Sequence, residues 1–299
     1  MDGISSINFS TSSPVNASNF GYDPSASDYC DYAADYDTWE ISAYGMPVQQ
    51  QGKMTLVYTA DNNAAAVLNL LLCGALHQGT MDCGLTVKIN GNVFVQPFAI
   101  TQSSFFATSW YIPAGVLSEG NNTIELEKSG LTNVMVRTAS IMQYQMQRQQ
   151  QTQWCWAAVS ASTSLFFNAD SSWTQCKLAN AEFSQANCCE TNQGGCPACN
   201  QPYFLQRSLA TTGNFVSETS GSQTVEQILA QLGEQRPVGV RIQWPNGSGH
   251  FVMVTGVGQN QQMLSIDDPF YGHSYISYAS FVSAYQSDGT WNYTYFVKP

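Results

Sequence analysis

The sequence predicts two domains, an all-β sandwich followed by an α+β domain. Three observations predict it. The chain has 299 residues, a length that suits two domains better than one. Residues 39–141 carry several short strand-like runs between turn residues and almost no helical period, which points to an antiparallel sandwich. From residue 142 onward helical patterns come first and a run of strands follows, an α+β order. The expected boundaries are an acidic arm at 1–38, the sandwich at 39–141 and the second domain at 142–299.

Each element follows from local pattern. Residues 1–38 are rich in Ser, Asn, Asp, Ala and Tyr without a helix or strand period, and read as a tail or wrapped arm. "KMTLVYTA" (53–60) reads as a strand. In "LTVKINGNVF" (85–94), Leu85, Val87 and Ile89 alternate with Thr86, Lys88 and Asn90, and Asn90-Gly91 marks a hairpin. "NTIELEKSG" (122–130) supplies a further strand. The glutamine-rich stretch 143–153 reads mainly as a linker. "WCWAAVSAS" then opens a partly buried helix, with Ala158, Leu165 and Phe166 near one face and Cys155 in its first turn. Residues 222–235 form a second helix with Val225, Ile228, Leu229 and Leu232 on one face. "PVGVRIQW", "HFVMVTGV", "MLSIDDP", "SYISYASF" and "NYTYFVKP" follow as strands.

Composition limits the function. The chain is 43% hydrophobic, enough to build cores, and no apolar run reaches the length of a membrane span. Net charge is −11, and residues 1–40 contribute −7 through six Asp and one Glu without any Lys or Arg. An acidic chain lacking basic clusters is a poor partner for nucleic acid or anionic membranes. Nine cysteines are many for a reducing compartment, so a secreted, extracellular destination is expected. The opening residues show no signal-peptide pattern.

A thiol at a helix start sits among unpaired N–H groups and the positive end of the helix dipole, which favour a thiolate. Cys155 is therefore the candidate nucleophile, and it needs a base. The chain offers only His77, His250 and His273. His77 lies in the sandwich and His273 in a turn-and-strand region. His250 opens a buried strand after Gly247 and Gly249, where a base would be presented, and is the candidate. An orienting group must fix its tautomer. Asp267 and Asp268 both stand at the end of the next strand, and strand alternation lets only one face the imidazole. Excluding water from the thioester would turn the same residues to transglutaminase-like acyl transfer.

The order Cys155, His250, Asp267/Asp268, with "WCWAA", "GHFVMVTG" and "IDDP", resembles the papain-like cysteine peptidases over about residues 145–299. It is most similar to the branch holding bacteriocin-processing peptidases and a plant-pathogen effector protease. The resemblance implies that the aspartate before proline, Asp268, is the orienter, with Asp267 the alternative. It implies that Gln149, six residues before Cys155, supplies an oxyanion donor beside the Cys155 N–H. The family often has asparagine as orienter, where this chain has aspartate. The implied activity is cysteine endopeptidase, acting on protein or peptide without cofactor or metal. Trp154, Trp156 and Trp244 are expected to wall the substrate cleft.

With Cys155 reserved, eight cysteines remain as disulfide candidates: Cys30, Cys73, Cys83, Cys176, Cys188, Cys189, Cys196 and Cys199. A Cys73–Cys83 pair would leave Cys30 to join the cluster at 176–199 and tie the arm to the second domain. A zinc site built on Cys196-x-x-Cys199 with Cys188 or Cys189 is the sharp alternative there. "ATSWYIPAGVLSEGNNTIELEKSG" (107–130) resembles galactose-binding-like and carbohydrate-binding jelly rolls. This implies a jelly-roll-like first domain and a possible glycan partner, with Phe106, Trp110 and Tyr111 as stacking candidates. A glycan-binding, lectin-like protein with an accessory peptidase domain is the rival function.

Overall fold

The computed structural model describes residues 7–10, 15–16, 39–41, 53–60, 62–74, 81–130, 134–189, 198–258 and 262–299. The fold is mostly β-sheet with few helices, and it divides into two compact units, Met1–Met142 and Gln143–Pro299.

Among the described residues, the regular elements of the first unit are all strands. Its strands are β1 (Ile7–Ser10), β2 (Val15–Asn16), β3 (Trp39–Ile41), β4 (Lys53–Ala60), β5 (Ala66–Gly74), β6 (Gly84–Ile89), β7 (Asn92–Ala99), β8 (Phe106–Ile112), β9 (Gly120–Ser129) and β10 (Val134–Met142). One sheet runs β1-β4-β9-β6-β7 and the other β2-β10-β5-β8, with β3 also paired to β10. Alternation buries one side of each strand: Leu56 and Tyr58 of β4, Leu85 and Val87 of β6, and Ile124 and Leu126 of β9 share a core with Leu68, Leu70 and Leu72 of β5. At the β6–β7 turn Asn90 and Gly91 both have positive φ, 50° and 79°, which the two-residue hairpin requires.

Several sequence expectations need correction here. Within the expected arm, which carries no strand period, β1 pairs in parallel with β4 and β2 pairs with β10. Edge strands form through backbone hydrogen bonds, so a side-chain period need not announce them. The expected Cys73–Cys83 bridge is not formed. Cys83 belongs to the main core, where its thiol donates to the Ile100 carbonyl, while Cys73 packs with Met135 and Phe105 in a separate cluster. Leu72 and Gly74 turn the other way from Cys73 on β5, so the two sulfurs occupy opposite faces of a strand. Of the stacking candidates, Phe106 is core, Trp110 packs tilted against Phe98 and Tyr111 is exposed. Cys30, His77 and Cys196 lie outside the described residues.

The second unit holds α1 (Cys155–Phe167), α2 (Gln175–Phe183), α3 (Leu205–Thr211), β11 (Phe215–Ser220), α4 (Val225–Gly233), β12 (Val238–Gln243), β13 (Gly249–Gly258), β14 (Met263–Asp268), β15 (Gly272–Ser277), α5 (Tyr278–Ser283) and β16 (Thr290–Val297). Its antiparallel sheet runs β11-β16-β12-β13-β14-β15, with α1 and α4 packed on β13. Helix α4 starts with a capping box in which Thr224 and Gln227 exchange side-chain and backbone hydrogen bonds. Its buried residues are Ile228 and Leu232.

Helix α1 is more buried than its expected single face. Every residue from Cys155 to Ser164 is buried, because Ala and Ser leave room for neighbours on all sides, and Leu165 is exposed instead. The segment before α1 is not a free linker. The Tyr144 hydroxyl bonds Thr163, Gln147 N–H donates to Ser162 Oγ, and buried Gln175 is bonded to Gln147, Arg148 and Gln150. "SYISYASF" is strand only to Ser277. There the Ser277 hydroxyl accepts the Ser280 N–H and caps α5, ending the strand. Disulfides join Cys176 to Cys189 and Cys188 to Cys199. Those sulfurs are therefore not zinc thiolates, and the zinc alternative fails on this chemistry.

Candidate active site

The site forms where α1 begins against β13 and β14. Cys155 opens α1, and the residue before it, Trp154, gives no side-chain cap, so no capping group competes with the thiol for the first-turn N–H groups. His250 is the second residue of β13 and pairs with Ile242 of β12. Asp268 ends β14, directly before Pro269.

The His250 side chain interacts with both partners. Its Nε2 lies 2.9 Å from each carboxylate oxygen of Asp268, and Cys155 is the second group whose interaction favours the charged ring. With Nε2 committed to the carboxylate, Nδ1 is the nitrogen left for sulfur. Burial disfavours the charged ring. Hydrogen bonds and charge from Asp268 and Cys155 outweigh that cost and push the His250 pKa up to about 9.

Asp268 is held on every side. Its Oδ1 accepts the N–H groups of Phe270 (2.6 Å) and Tyr271 (2.8 Å), and its Oδ2 accepts the Tyr285 hydroxyl (2.8 Å). Burial opposes its charge, but the His250 hydrogen bond, the His250 charge and the two N–H groups keep its pKa below the usual carboxylate value. Asp267 points elsewhere. Its oxygens take the Thr255 hydroxyl at 2.7 Å and His273 Nδ1 at 3.2 Å. Alternation along β14 thus separates the adjacent aspartates, one with each histidine.

The remaining candidates divide. Gln149 N–H donates to the Pro269 carbonyl at 2.9 Å, fastening the pre-helix segment to the Asp268 turn. Its side-chain amide donates to the carbonyls of Gln151 and Thr152, and its Oε1 is buried without a hydrogen bond. Trp154 and Trp156 do not wall a cleft, contrary to expectation. Both are fully buried. Trp154 Nε1–H donates to the Cys199 carbonyl and Trp156 Nε1–H to the Gln201 carbonyl, so the indoles fasten the nucleophile's helix to the segment after the second disulfide. Trp244 is half-buried at the end of β12 and alone of the three keeps an exposed edge.

A groove of about 500 Å³ lies on the sheet face opposite the His250 side chain, since the β13 residues that line it alternate with His250. Its lining includes Gly249 and Phe251, the two neighbours of His250 on β13, with Arg241, Tyr293, Pro202 and Phe204. A Cβ at Gly249 would come 2.7 Å from the Arg241 guanidinium, which would then have to swing aside. The groove has no local sequence signal, because its residues come from five separate segments. Tyr285 was missed too, as a tyrosine in a turn carries no signal of its distant partner.

The model of the family described as papain-like cysteine protease AvrRpt2 matches residues 136–286, half of the chain. The chain belongs to that family. The matched range contains Gln149, Cys155, His250, Asp268 and Tyr285, so the groups around the imidazole all fall within the AvrRpt2-like part. Family membership makes this a cysteine peptidase at the level of class. No curated protein matches the chain in sequence. Among solved structures, it is similar to a family 35 carbohydrate-binding module from Clostridium thermocellum, with 17% identity over 30% of this chain and 69% of that one, and a TM-score of 0.24. It is similar to the sugar-binding EclA C-terminal domain, with 8% identity over 35% and 76% and a TM-score of 0.26. It is also similar to a family 16 carbohydrate-binding module, with 13% identity over 41% and 87% and a TM-score of 0.27. Scores this low establish neither fold nor ligand for this chain. Among the described residues, no helix is long and apolar enough to cross a membrane.

Proposed function

We propose that the protein is a cysteine endopeptidase working through Cys155, His250 and Asp268. The observation that carries this reading is the imidazole of His250, with Nε2 2.9 Å from both Asp268 oxygens and with Cys155 among the groups that favour its charged form. The Cys155 thiolate attacks the substrate carbonyl carbon, and the carbonyl π pair moves to oxygen. As that tetrahedral adduct collapses, the C–N bond breaks and the imidazolium gives its proton to the leaving amine. Water then adds to the thioester, its proton passing to His250, and Cys155 leaves as thiolate with release of the acid. Asp268 holds the ring in one orientation and stabilises its charged form. The Cys155 N–H, on the first turn of α1, is the backbone oxyanion donor. Gln149 joins it once its amide gives up one of the two carbonyls it now bonds.

Two disulfides favour an oxidising compartment, and we assign the protein an extracellular location on that chemistry. The arm at 1–38 and the module at 39–141 are accessory to the peptidase in this reading. A glycan is a possible partner of the module.

The test is cleavage of an unfolded protein substrate, with active-site labelling by an epoxide-type thiol inhibitor. Wild-type protein should cleave the substrate and take up one label at Cys155. Cys155→Ala should lose both, and His250→Ala should lose turnover by at least a hundredfold. Turnover retained in Cys155→Ala would refute the assignment. Incorporation of a labelled amine without cleavage would replace it with acyl transfer.

A further inference from the structure

We propose that Tyr285 is a positioning residue for the peptidase reaction, its hydroxyl fixing the free edge of the Asp268 carboxylate so that His250 is held in line with Cys155. The inference rests on the reading of Cys155, His250 and Asp268 as the reacting group.

The number of donors around that carboxylate decides how firmly it is held. Oδ1 receives two backbone N–H groups from the turn after Pro269, at 2.6 and 2.8 Å. Those bonds fix one oxygen but leave the carboxylate free to pivot about it. The second oxygen has one neutral donor, the Tyr285 O–H at 2.8 Å. With both oxygens held, Nε2 of His250 stands 2.9 Å from each, a symmetric arrangement that a pivoting carboxylate would not keep. A buried hydrogen bond to a charged group is among the stronger kinds, because the low dielectric strengthens it and its loss leaves charge unsatisfied.

The chain fixes Tyr285 with unusual care for a residue in a turn. Its side chain is fully buried, with its ring edge-on to Phe281 at 5.2 Å, and Phe281 packs in turn on Trp291. Its backbone exchanges two hydrogen bonds with Gly289, closing the loop 285–289. Gln286 and Ser287 within that loop have positive φ, 48° and 91°. Gly289 has no space for a side chain, since a Cβ would fall 2.5 Å from Ile242 and 2.6 Å from Trp244. Ile242 is the residue paired with His250 across the sheet. The loop is therefore pressed onto the strand beside the histidine, and its first residue reaches the aspartate.

The charged and titratable groups around this hydroxyl are few. Asp268 touches it, His250 and Cys155 lie beyond the carboxylate, and the Tyr271 ring sits edge-on to His250 at 6.2 Å. Asp267 and His273 bond each other away from it. Removing the hydroxyl leaves Asp268 with one donor fewer, so the carboxylate draws the His250 proton more strongly while it is held less firmly. Protonation and alignment should thus respond in different ways, which separates positioning from packing.

The experiment compares wild type, Tyr285→Phe, Asp268→Asn and the double variant, all in the full chain, measuring kcat, KM and the pH profile of kcat/KM. Phenylalanine keeps the ring and its contacts with Phe281, and thermal unfolding of each variant checks the fold. Tyr285→Phe should lower kcat about tenfold with KM unchanged, and should move the alkaline limb to higher pH. In the Asp268→Asn background it should cost less than twofold, since the carboxylate it serves is gone. An unmoved alkaline limb, or losses that multiply in the double variant, would overturn the role. Turnover that survives Cys155→Ala would instead remove the underlying catalytic reading, a distinct outcome.

Discussion

His250 governs how the site responds to pH. Its pKa, about 9, lies above the ordinary histidine value because Asp268 and Cys155 both favour the charged ring against the cost of burial. The sign follows from that direction. A raised histidine pKa stabilises the fold fully below the unfolded value, about 6.5, and the contribution is lost as pH rises through about 9. Asp268 is lowered, so its contribution is present above the ordinary carboxylate pKa and lost as acid protonates it. The alkaline limb of kcat/KM should accordingly fall near pH 9. Asp268→Asn should move that limb to lower pH and reduce kcat by tenfold or more. Asp267→Asn should leave the limb in place, because Asp267 serves Thr255 and His273. A pH profile of the three proteins decides between the adjacent aspartates.

At the level of elements, the precision of the site depends on how tightly the loop 285–289 seats against β12. Gly289→Ala would place a methyl group against Ile242, Trp244 and the Tyr285 carbonyl, so the loop must lift. The expected result is a destabilisation of about 1–3 kcal/mol in denaturant unfolding together with a fall in kcat. Thr224→Ala, which removes the α4 cap far along the sequence from the triad, should cost about 1 kcal/mol and leave kcat unchanged. The same elements show what the sequence made legible. Strands with clear alternation, such as β4 and β6, and the Asn90-Gly91 turn follow from local pattern, since their signals lie within a few residues. The start of α1 and the motifs of β13 and β14 were legible because a cysteine at a helix start, a histidine opening an apolar strand and an aspartate before proline are each visible within a few residues. The glutamine-rich segment misled, because its fixation depends on Gln175 and Ser162 in later elements. The same holds for Trp154 and Trp156, whose role as anchors depends on carbonyls 45 residues away. Burial of α1 on all sides was hidden too, since small residues specify closeness without naming a neighbour.

Across the whole molecule, the two disulfides connect composition to the site. Bridges 176–189 and 188–199 cross-link the segment after α2, whose carbonyls at 199 and 201 receive the indoles flanking Cys155. Closing loops of this length removes about 3 kcal/mol each of unfolded-state entropy in the chain-entropy model. Cys188→Ser with Cys199→Ser should therefore lower the unfolding temperature and reduce epoxide labelling of Cys155. Labelling unchanged in a clearly less stable variant would separate the bridges from the nucleophile. The acidic charge of the chain, concentrated before residue 41, does not reach this machinery in sequence.

The most direct test of the central claim, an imidazole shared between sulfur and carboxylate, is the titration of His250 by NMR in the full-length protein labelled with 15N-histidine. Only three histidines need assignment. The account predicts a midpoint near 9 in the wild type and a lower one in Cys155→Ala, where one of the two partners is removed. A midpoint at the ordinary value of about 6.5 in both proteins would contradict it.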